Sequence, residues 1–443
     1  MSFKLPRGMR DIEENEYARI EKVRNAFNET CRIFGFKRFM PSPIEMLSTL
    51  EVKSGPGIKE EIYHFKDKKE RDLGLRFDLT VGITRHITGK KDLRRPFRVG
   101  TFGDMFRYDE PQKGRYRWFH QWNAEIYYTI KDNPRNHVLE LLKFSTSLFD
   151  KIGIGNFEIR LGHRELAESF VNALLYGKLE QPESNKQQEV TIILRLLDKI
   201  EKKTEKQIVD EAIELGLEEE KAKILVKFGK IKSSDINILK QEYVSILQEI
   251  GMIGKDIEEI SDVIQSHFKL FESKIKNIEF DLGLVRGMDY YDGYVFEIVD
   301  LNNKEIGSIA GGGEYTRLIK SFSGPDNLSA IGIAGGIERT MESIDENQEK
   351  TNNLISIISL LEEGAEDLID TLRDNNIPTT YRQLDNEDIK KGLKFAAANN
   401  ANIAIIIGKN ELVDGKYRVK DMKTGKEELV KKESVVNFIK ELI

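Results

Sequence analysis

The chain has 443 residues, with 69 Lys and Arg against 75 Asp and Glu, a net charge of −6. At roughly 100–200 residues per domain this length predicts two to four domains, and a composition 39% hydrophobic and 33% charged supplies several cores under a heavily charged surface. The mild acidity excludes an overall basic coat for nucleic acid while leaving room for a local basic face, and a single cysteine, Cys31, excludes a disulfide framework and any multi-cysteine zinc or iron–sulfur site.

One cysteine fits a reducing, cytoplasmic compartment. The opening residues carry no apolar core of the signal-peptide kind. No apolar run approaches the about 18 residues of a membrane span, and the longest, Ile403–Ile407, has the length of a strand. Residues 11–35 predict one amphipathic helix. Ile12, Ile20, Val23, Phe27, Cys31 and Phe34 fall at helical spacings, with Asp11 as N-cap and Gly35 as stop. Cys31 lies on the apolar stripe and reads as core, not nucleophile.

From about 36 to 130 the pattern is strand-like. Phe97–Asp109 and Tyr116–Tyr128 are two runs joined by a Pro- and Gly-containing loop, which predicts an antiparallel hairpin. In the second run Trp118, His120, Trp122, Ala124, Ile126 and Tyr128 share one parity and should pack. Arg117, Phe119, Gln121, Asn123, Glu125 and Tyr127 share the other and should face a more polar space. Residues 137–151 and about 181–275 read as helical, the second stretch as an insertion dense in Glu and Lys. Strands return at 277–300 and near 305–340, with helix from about 335. Residues 343–353 read as a polar linker. Then come strand Leu354–Ile358, helix 362–374, strand 378–382, helix 386–399 and strand Ile403–Ile407, a small α/β domain with mostly parallel pairing. A hairpin near 416–430 turns at Lys423-Thr424-Gly425, and a helix follows from about 433.

No G-x-x-x-x-G-K-[ST] and no strand–GxGxxG–helix is present. Gly311-Gly312-Gly313 reads equally as a tight turn needing positive φ or as a ligand contact. A nucleotide would have to be held by arginines and a sheet. Arg107, Arg115, Arg117, Arg286 and Arg339 offer guanidinium forks suited to phosphate and carboxylate; each alone reads as readily as a solvated charge or a structural ion pair. Gln121 and Glu125, four apart on one strand face, can read a cationic amine or an imidazole N–H, or can simply line an exposed strand edge. Tyr290-Tyr291 beside Asp289 offer hydroxyls, or core packing. The six histidines show no metal-ligand spacing, and no metal site is expected.

Four segments resemble the histidyl-tRNA synthetases of the class II aminoacyl-tRNA synthetase group. FRYDEPQKGRYRWFHQWNAEIY (106–127) resembles the second class-defining motif, and LVRGMDYYDGYVFEIV (284–299) the peptide peculiar to the histidine enzymes. AIGIAGGIERTMESI (330–344) resembles the third motif, ending in Arg339. FKRFMPSPIEMLSTL (36–50) resembles the first, a dimer element, with Pro43 at its proline.

The resemblance implies an α+β catalytic core, an antiparallel sheet flanked by helices (1–180 and 276–342). It also implies a helical insertion (181–275) and a C-terminal α/β anticodon-binding domain (354–443). It implies a histidine–tRNA ligase that activates L-histidine with ATP and transfers the histidyl group to the 3′ end of tRNA(His). Mg2+ would accompany the nucleotide, with no organic cofactor, in a cytoplasmic homodimer. Arg107 would grip the α-phosphate, Arg286 the α-phosphate and the histidine carboxylate, Arg339 and Arg115 the β- and γ-phosphates, and Asp109 the adenine. Asp78, Thr80 and Gln121 would take the α-amino group; Glu125 and Tyr291 the imidazole edge, with Tyr290 lining the pocket. tRNA contacts would come from Gln112, Lys113 and Arg117 and from Lys416, Arg418 and Lys420, whose row also reads as an edge strand protected by lysines.

Two positions depart from the family pattern. Its second motif often reads Arg-x-Glu-Arg-Pro, whereas here it is Arg107-Tyr108-Asp109-Glu110-Pro111. Asp109 is one methylene shorter, and Glu110 reverses a charge near the expected tRNA acceptor end. Residues 351–443 carry 14 Lys and Arg against 16 Asp and Glu, a net −2. Two other readings are a synthetase-like regulatory subunit of an ATP phosphoribosyltransferase and a sensor of uncharged tRNA. The retained arginines and the last domain argue against the first. The arginines and the lack of a kinase signature argue against the second.

Overall fold

The first helix spans Glu14–Ile33 in the computed structural model, which describes residues 3–54, 56–90, 92–108, 110, 116–180, 186–285, 290–344, 353–361, 365–384 and 388–442. Ile20, Val23, Phe27 and Cys31 are buried along one stripe, because residues three and four apart share a helix face. Burial pushes the Cys31 thiol up to about 11, consistent with an inert core group. Asp11 is not the cap. The helix begins after Glu13, which makes no side-chain capping bond. Gly35 follows the last turn at φ +72°, a conformation open to glycine.

Residues 36–96 are only partly strand. Three short strands, Ile44–Met46, His64–Lys66 and Asp72–Leu75, form a small sheet. Between and after them run the helices Leu47–Ser54 and Leu79–Thr88. The second helix reads as strand in sequence because it is rich in β-branched residues, and all but three of its ten residues are buried. Its start is set by Asp78, whose carboxylate accepts from Val81 N at 3.3 Å.

The main sheet has nine strands. Across it lie Lys37–Arg38, Phe97–Phe106, Trp118–Thr129, Leu328–Gly336, Ser308–Glu314, Tyr294–Asp300, Phe157–His163, Ile278–Asp281 and Lys232–Ser233. Its interior is antiparallel; parallel pairs join only Lys37–Arg38 to Phe97–Phe106 and Phe157–His163 to Ile278–Asp281. Strand parity sorts the Trp118–Thr129 side chains. Trp122, Ala124, Ile126 and Tyr128 pack with the first helix and the helix Pro134–Ile152, with the Phe27 and Trp122 rings 5.8 Å apart. Gln121, Asn123 and Glu125 point to the opposite face.

The segment after 186 holds five helices, Gln187–Leu197, Glu205–Glu214, Glu219–Phe228, Ile236–Glu249 and Lys255–Glu272. It is not wholly helical: Lys232–Ser233 pairs antiparallel with Ile278–Asp281 and extends the main sheet. Its apolar residues join the main core, where Phe228 stacks on Phe170 with ring centroids 3.8 Å apart.

Contacts divide the chain into two units, Met1–Asp345 and Glu346–Ile443. The second is a five-stranded sheet ordered Thr379–Gln383, Ile355–Ser359, Ile403–Ile407, Lys416–Asp421 and Glu427–Lys431. The first three strands are parallel and the last two form an antiparallel hairpin. Apolar side chains cover both faces, so every residue of Ile403–Ile407 is buried.

Candidate active site

On the face of the main sheet opposite the first helix lies a cavity of about 270 Å³. Its floor comes from strands Trp118–Thr129, Ser308–Glu314 and Leu328–Gly336, and its walls include Asp78, Thr80, Arg107, Gln121, Tyr290, Tyr291 and Arg339. Seven sequence-predicted residues from four chain segments therefore converge. Asp109, Gln112, Lys113, Arg115 and Arg286 lie outside the described residues.

Glu125 sits behind that wall, fully buried. Thr80 Oγ1 and Asn123 Nδ2 donate to its Oε1 at 2.7 and 3.0 Å, and Tyr315 OH and Tyr127 OH donate to its Oε2 at 2.7 and 3.0 Å. Four donors thus meet one carboxylate, a fully subscribed acceptor. Burial pushes the Glu125 carboxyl up from its ordinary value, and the hydrogen bonds from Tyr315, Asn123 and Thr80 pull the other way. Gln121 joins the chain by donating its Nε2 to Asn123 Oδ1 at 2.7 Å. Thr80, expected at an amino group, is here tied to Glu125.

Glycines make this wall possible by close approach, not by turning the chain. Gly311, Gly312 and Gly313 lie within a strand, and none has positive φ. A Cβ at Gly332 would stand 2.9 Å from Glu125 Cγ, and one at Gly313 would stand 2.7 Å from the Tyr291 ring.

Asp78 has a partner that sequence reasoning missed. Its Oδ2 accepts from Lys53 Nζ at 2.8 Å, and the Lys53 side chain is only 2% exposed. Burial opposes ionisation of Asp78, but Lys53 and then Arg107 outweigh it, and the carboxyl stays below its ordinary value. Arg107 donates its Nε to Phe77 O at 3.0 Å, and its guanidinium carbon lies 5.0 Å from the centre of the Phe119 ring. Arg339 donates to Ser308 O at 3.0 Å.

Glu338, also in the wall, accepts from His120 N and faces His120 Nδ1 at 2.9 Å. Arg10 reaches Glu338 at 3.3 Å, pairs with Glu16 and lies 3.9 Å from the centre of the Tyr116 ring. Tyr116, Phe119, Asn123, Tyr315 and Glu338 all belong to the cavity and were not singled out from sequence. Phe119 and Asn123 carried a signal, the parity they share with Gln121 and Glu125.

Arg117 departs from its expected place. It is buried, 6% exposed, with its guanidinium carbon 3.9 Å from the centre of the Tyr108 ring and a hydrogen bond to Arg7 O at 3.3 Å. Glu110 pairs with Arg7 at 2.8 Å at the surface, a contact worth little energy. In the second unit the basic row is answered by carboxylates. Arg418 pairs with Glu411 at 2.9 Å and Lys420 with Glu427 at 2.6 Å, while Lys416 lies half-buried on the same strand.

Outside the cavity, His163, Glu165 and His267 bring three ligand-type atoms within 4.8 Å of one another, a grouping that chain spacing did not reveal. The two rings stack with centroids 3.7 Å apart and 20° between planes, so their in-plane lone pairs run side by side and do not converge on one point. Glu165 lies 3.3 Å from His267 Nε2, an ion-pair geometry. Among the described residues no helix is long and apolar enough to cross a membrane.

A family model described as histidyl-tRNA synthetase matches residues 8–340, and one described as anticodon binding domain matches residues 352–442. Histidine–tRNA ligases of Clostridium tetani and Methanocaldococcus jannaschii are 31% and 30% identical. The first alignment covers 95% of this chain and 94% of the relative, the second 98% and 99%. In fold, the chain is similar to the crystal structure of a histidyl-tRNA synthetase from Nostoc, with a TM-score of 0.77, 20% identity and all of both chains covered. It is also similar to a Bacillus halodurans structure titled as an ATP phosphoribosyltransferase regulatory subunit/histidyl-tRNA synthetase, with a TM-score of 0.70, 20% identity, and 92% and 98% covered.

Proposed function

Because the chain belongs to the histidyl-tRNA synthetase family, with the histidine–tRNA ligase reaction that membership carries, we propose how its own residues perform that reaction. The observation that carries the assignment is the Glu125 hub beside a cavity lined by two guanidinium groups, Arg107 and Arg339.

Histidine enters with its imidazole toward Glu125. A ring N–H takes the place of one of the four donors, and Tyr291 closes the side of the ring. The α-ammonium lies toward Asp78 and Gln121. ATP lies along the sheet with its purine against Phe119 or Tyr116, flat aromatic faces that suit a base. Arg107 neutralises the α-phosphate, and Arg339 with Arg115 holds the β- and γ-phosphates. Arg286 bridges the α-phosphate and the histidine carboxylate. The carboxylate oxygen attacks the α-phosphorus and pyrophosphate leaves; a ribose hydroxyl of the tRNA end then attacks the adenylate's carbonyl carbon, giving up its proton as the ester forms and AMP leaves. No side chain forms a covalent intermediate. Placement and charge neutralisation lower the barrier.

Asp78 and Glu338, the carboxylates of the cavity wall among the described residues, are already engaged by Lys53 and by His120 with Arg10. Mg2+ would be held largely by the nucleotide's phosphates, where it would supply charge neutralisation. The core comprises 1–180 and 276–342, with 181–275 as the insertion toward the acceptor arm. Residues 354–443 meet the anticodon, where tRNA phosphates would draw Arg418 and Lys420 from their carboxylates and add Lys416. Gln112 and Lys113 serve the acceptor end. A lone buried cysteine suits the cytoplasm.

ATP–pyrophosphate exchange without tRNA, run with each of the twenty amino acids, tests the first half-reaction. Exchange with L-histidine alone is expected; none with any amino acid, from folded protein that binds histidine, favours the regulatory-subunit reading. The protein is also expected to be a homodimer through the segment 36–50, where Met40, Ile44 and Met46 stand exposed. Sedimentation showing only the 51.0 kDa chain at micromolar concentration rejects the dimer.

A further inference from the structure

Lys53 is a buried cation that the mechanism above does not use. It belongs to the helix Leu47–Ser54, 25 residues before Asp78 in the chain. Its side chain is 2% exposed, its Nζ lies 2.8 Å from Asp78 Oδ2, and the same ammonium stands 4.5 Å from the centre of the Tyr290 ring. The other Asp78 oxygen accepts from Val81 N. One carboxylate therefore has both oxygens fixed, one by a helix start and one by a buried charge, while its edge lines the cavity. A buried cation persists only where it is paired, and this one joins Asp78 and Tyr290.

We propose that Lys53 is a positioning residue of the amino-acid subsite, holding the Asp78 carboxylate and the Tyr290 ring in the arrangement that receives the α-ammonium group of histidine. The proposal rests on the reading of Asp78 as the partner of that ammonium. The groups facing Asp78 are Lys53, Arg107, Glu125, the Val81 amide and Tyr290. Among the described residues Lys53 is the nearest cation. Without it, burial pushes the carboxyl upward with Arg107 as the remaining cation to oppose it, and a carboxyl that takes up a proton no longer pairs with an ammonium.

The test is histidine-dependent ATP–pyrophosphate exchange by the full-length protein from pH 6 to pH 9. In Lys53→Met, the KM for histidine relative to the unsubstituted protein is expected to be raised about tenfold or more at pH 6 and to fall toward a few-fold at pH 9, with the KM for ATP little changed. Lys53→Arg, which keeps the charge, should recover most of the loss. The double variant Lys53→Met/Asp78→Asn leaves no unpaired buried charge, so it remains measurable even if Lys53→Met folds poorly. Its KM for histidine should match that of Asp78→Asn alone, the non-additivity expected of one unit. If Asp78→Asn raises that KM but Lys53→Met leaves the ratio flat across pH, or if the double variant shows the product of the two effects, Lys53 is structural only. If Asp78→Asn itself leaves the KM unchanged, the reading of Asp78 is what fails.

Discussion

Replacing Glu125 by glutamine should lower kcat/KM for histidine in pyrophosphate exchange by about 10³, roughly 4 kcal/mol of transition-state stabilisation. The argument is one of donors and acceptors. Thr80, Asn123, Tyr127 and Tyr315 all point hydrogen atoms at this side chain. A glutamine turns an NH2 toward one pair, and two donors then face two donors in a site without water access. Leaving buried polar groups unpaired costs more than the bond they replace is worth. The KM for ATP should barely move, because the hub lies behind the amino-acid end of the cavity. Exchange by Glu125→Gln within tenfold of the original protein at subsaturating histidine contradicts the role.

Arg107→Ala is expected to slow adenylate formation by about 10²–10³ in single-turnover experiments, the usual cost of one charge-stabilising donor in a preorganised site. Both substrate KM values should change only a few-fold, since the guanidinium matters most when charge builds on the α-phosphate. Its hydrogen bond to Phe77 O and its place beside the Phe119 ring hold the fork before substrate arrives. Arg107→Lys keeps the charge and loses the fork, and should fall between. A normal chemical step in Arg107→Ala removes the residue from the α-phosphate.

Much of this site was legible in sequence. The parity of the 118–129 run sorted Trp122 and Ile126 from Gln121 and Glu125, since a strand's alternation leaves a direct mark when one face is packed and the other lines a polar cavity. The last domain was legible for a similar reason. Strand Ile403–Ile407 is apolar throughout and is flanked by helices of strong 3.6 period. The helix Leu79–Thr88 was not. Thr80, Val81, Ile83, Thr84 and Ile87 favour strand locally, and only tertiary burial with the Asp78 cap decides for helix. Neither Lys53 nor Tyr315 carries a local signal; one is a lysine among many, the other a tyrosine after a strand. Their roles come from pairings across 25 and 190 residues. Arg117 keeps the expected parity but is buried against Tyr108, because a charge beside a loop carries no local sign of its burial.

The order of strands in the main sheet also bears on how the protein is made. Trp118–Thr129 is an interior strand, third of the nine, and its partner Leu328–Gly336 emerges about 200 residues later, with Glu125 opposite Gly332. At synthesis rates of roughly 5–20 residues per second, that interval lasts about 10–40 s on the ribosome. Until Leu328–Gly336 emerges, the strand that carries Glu125 lacks the partner it has on that side of the finished sheet. The histidine pocket is thus among the last parts of the first unit to be completed. A translational stall before residue 328 leaves a sheet with an unpaired edge, the kind of surface that chaperones must cover.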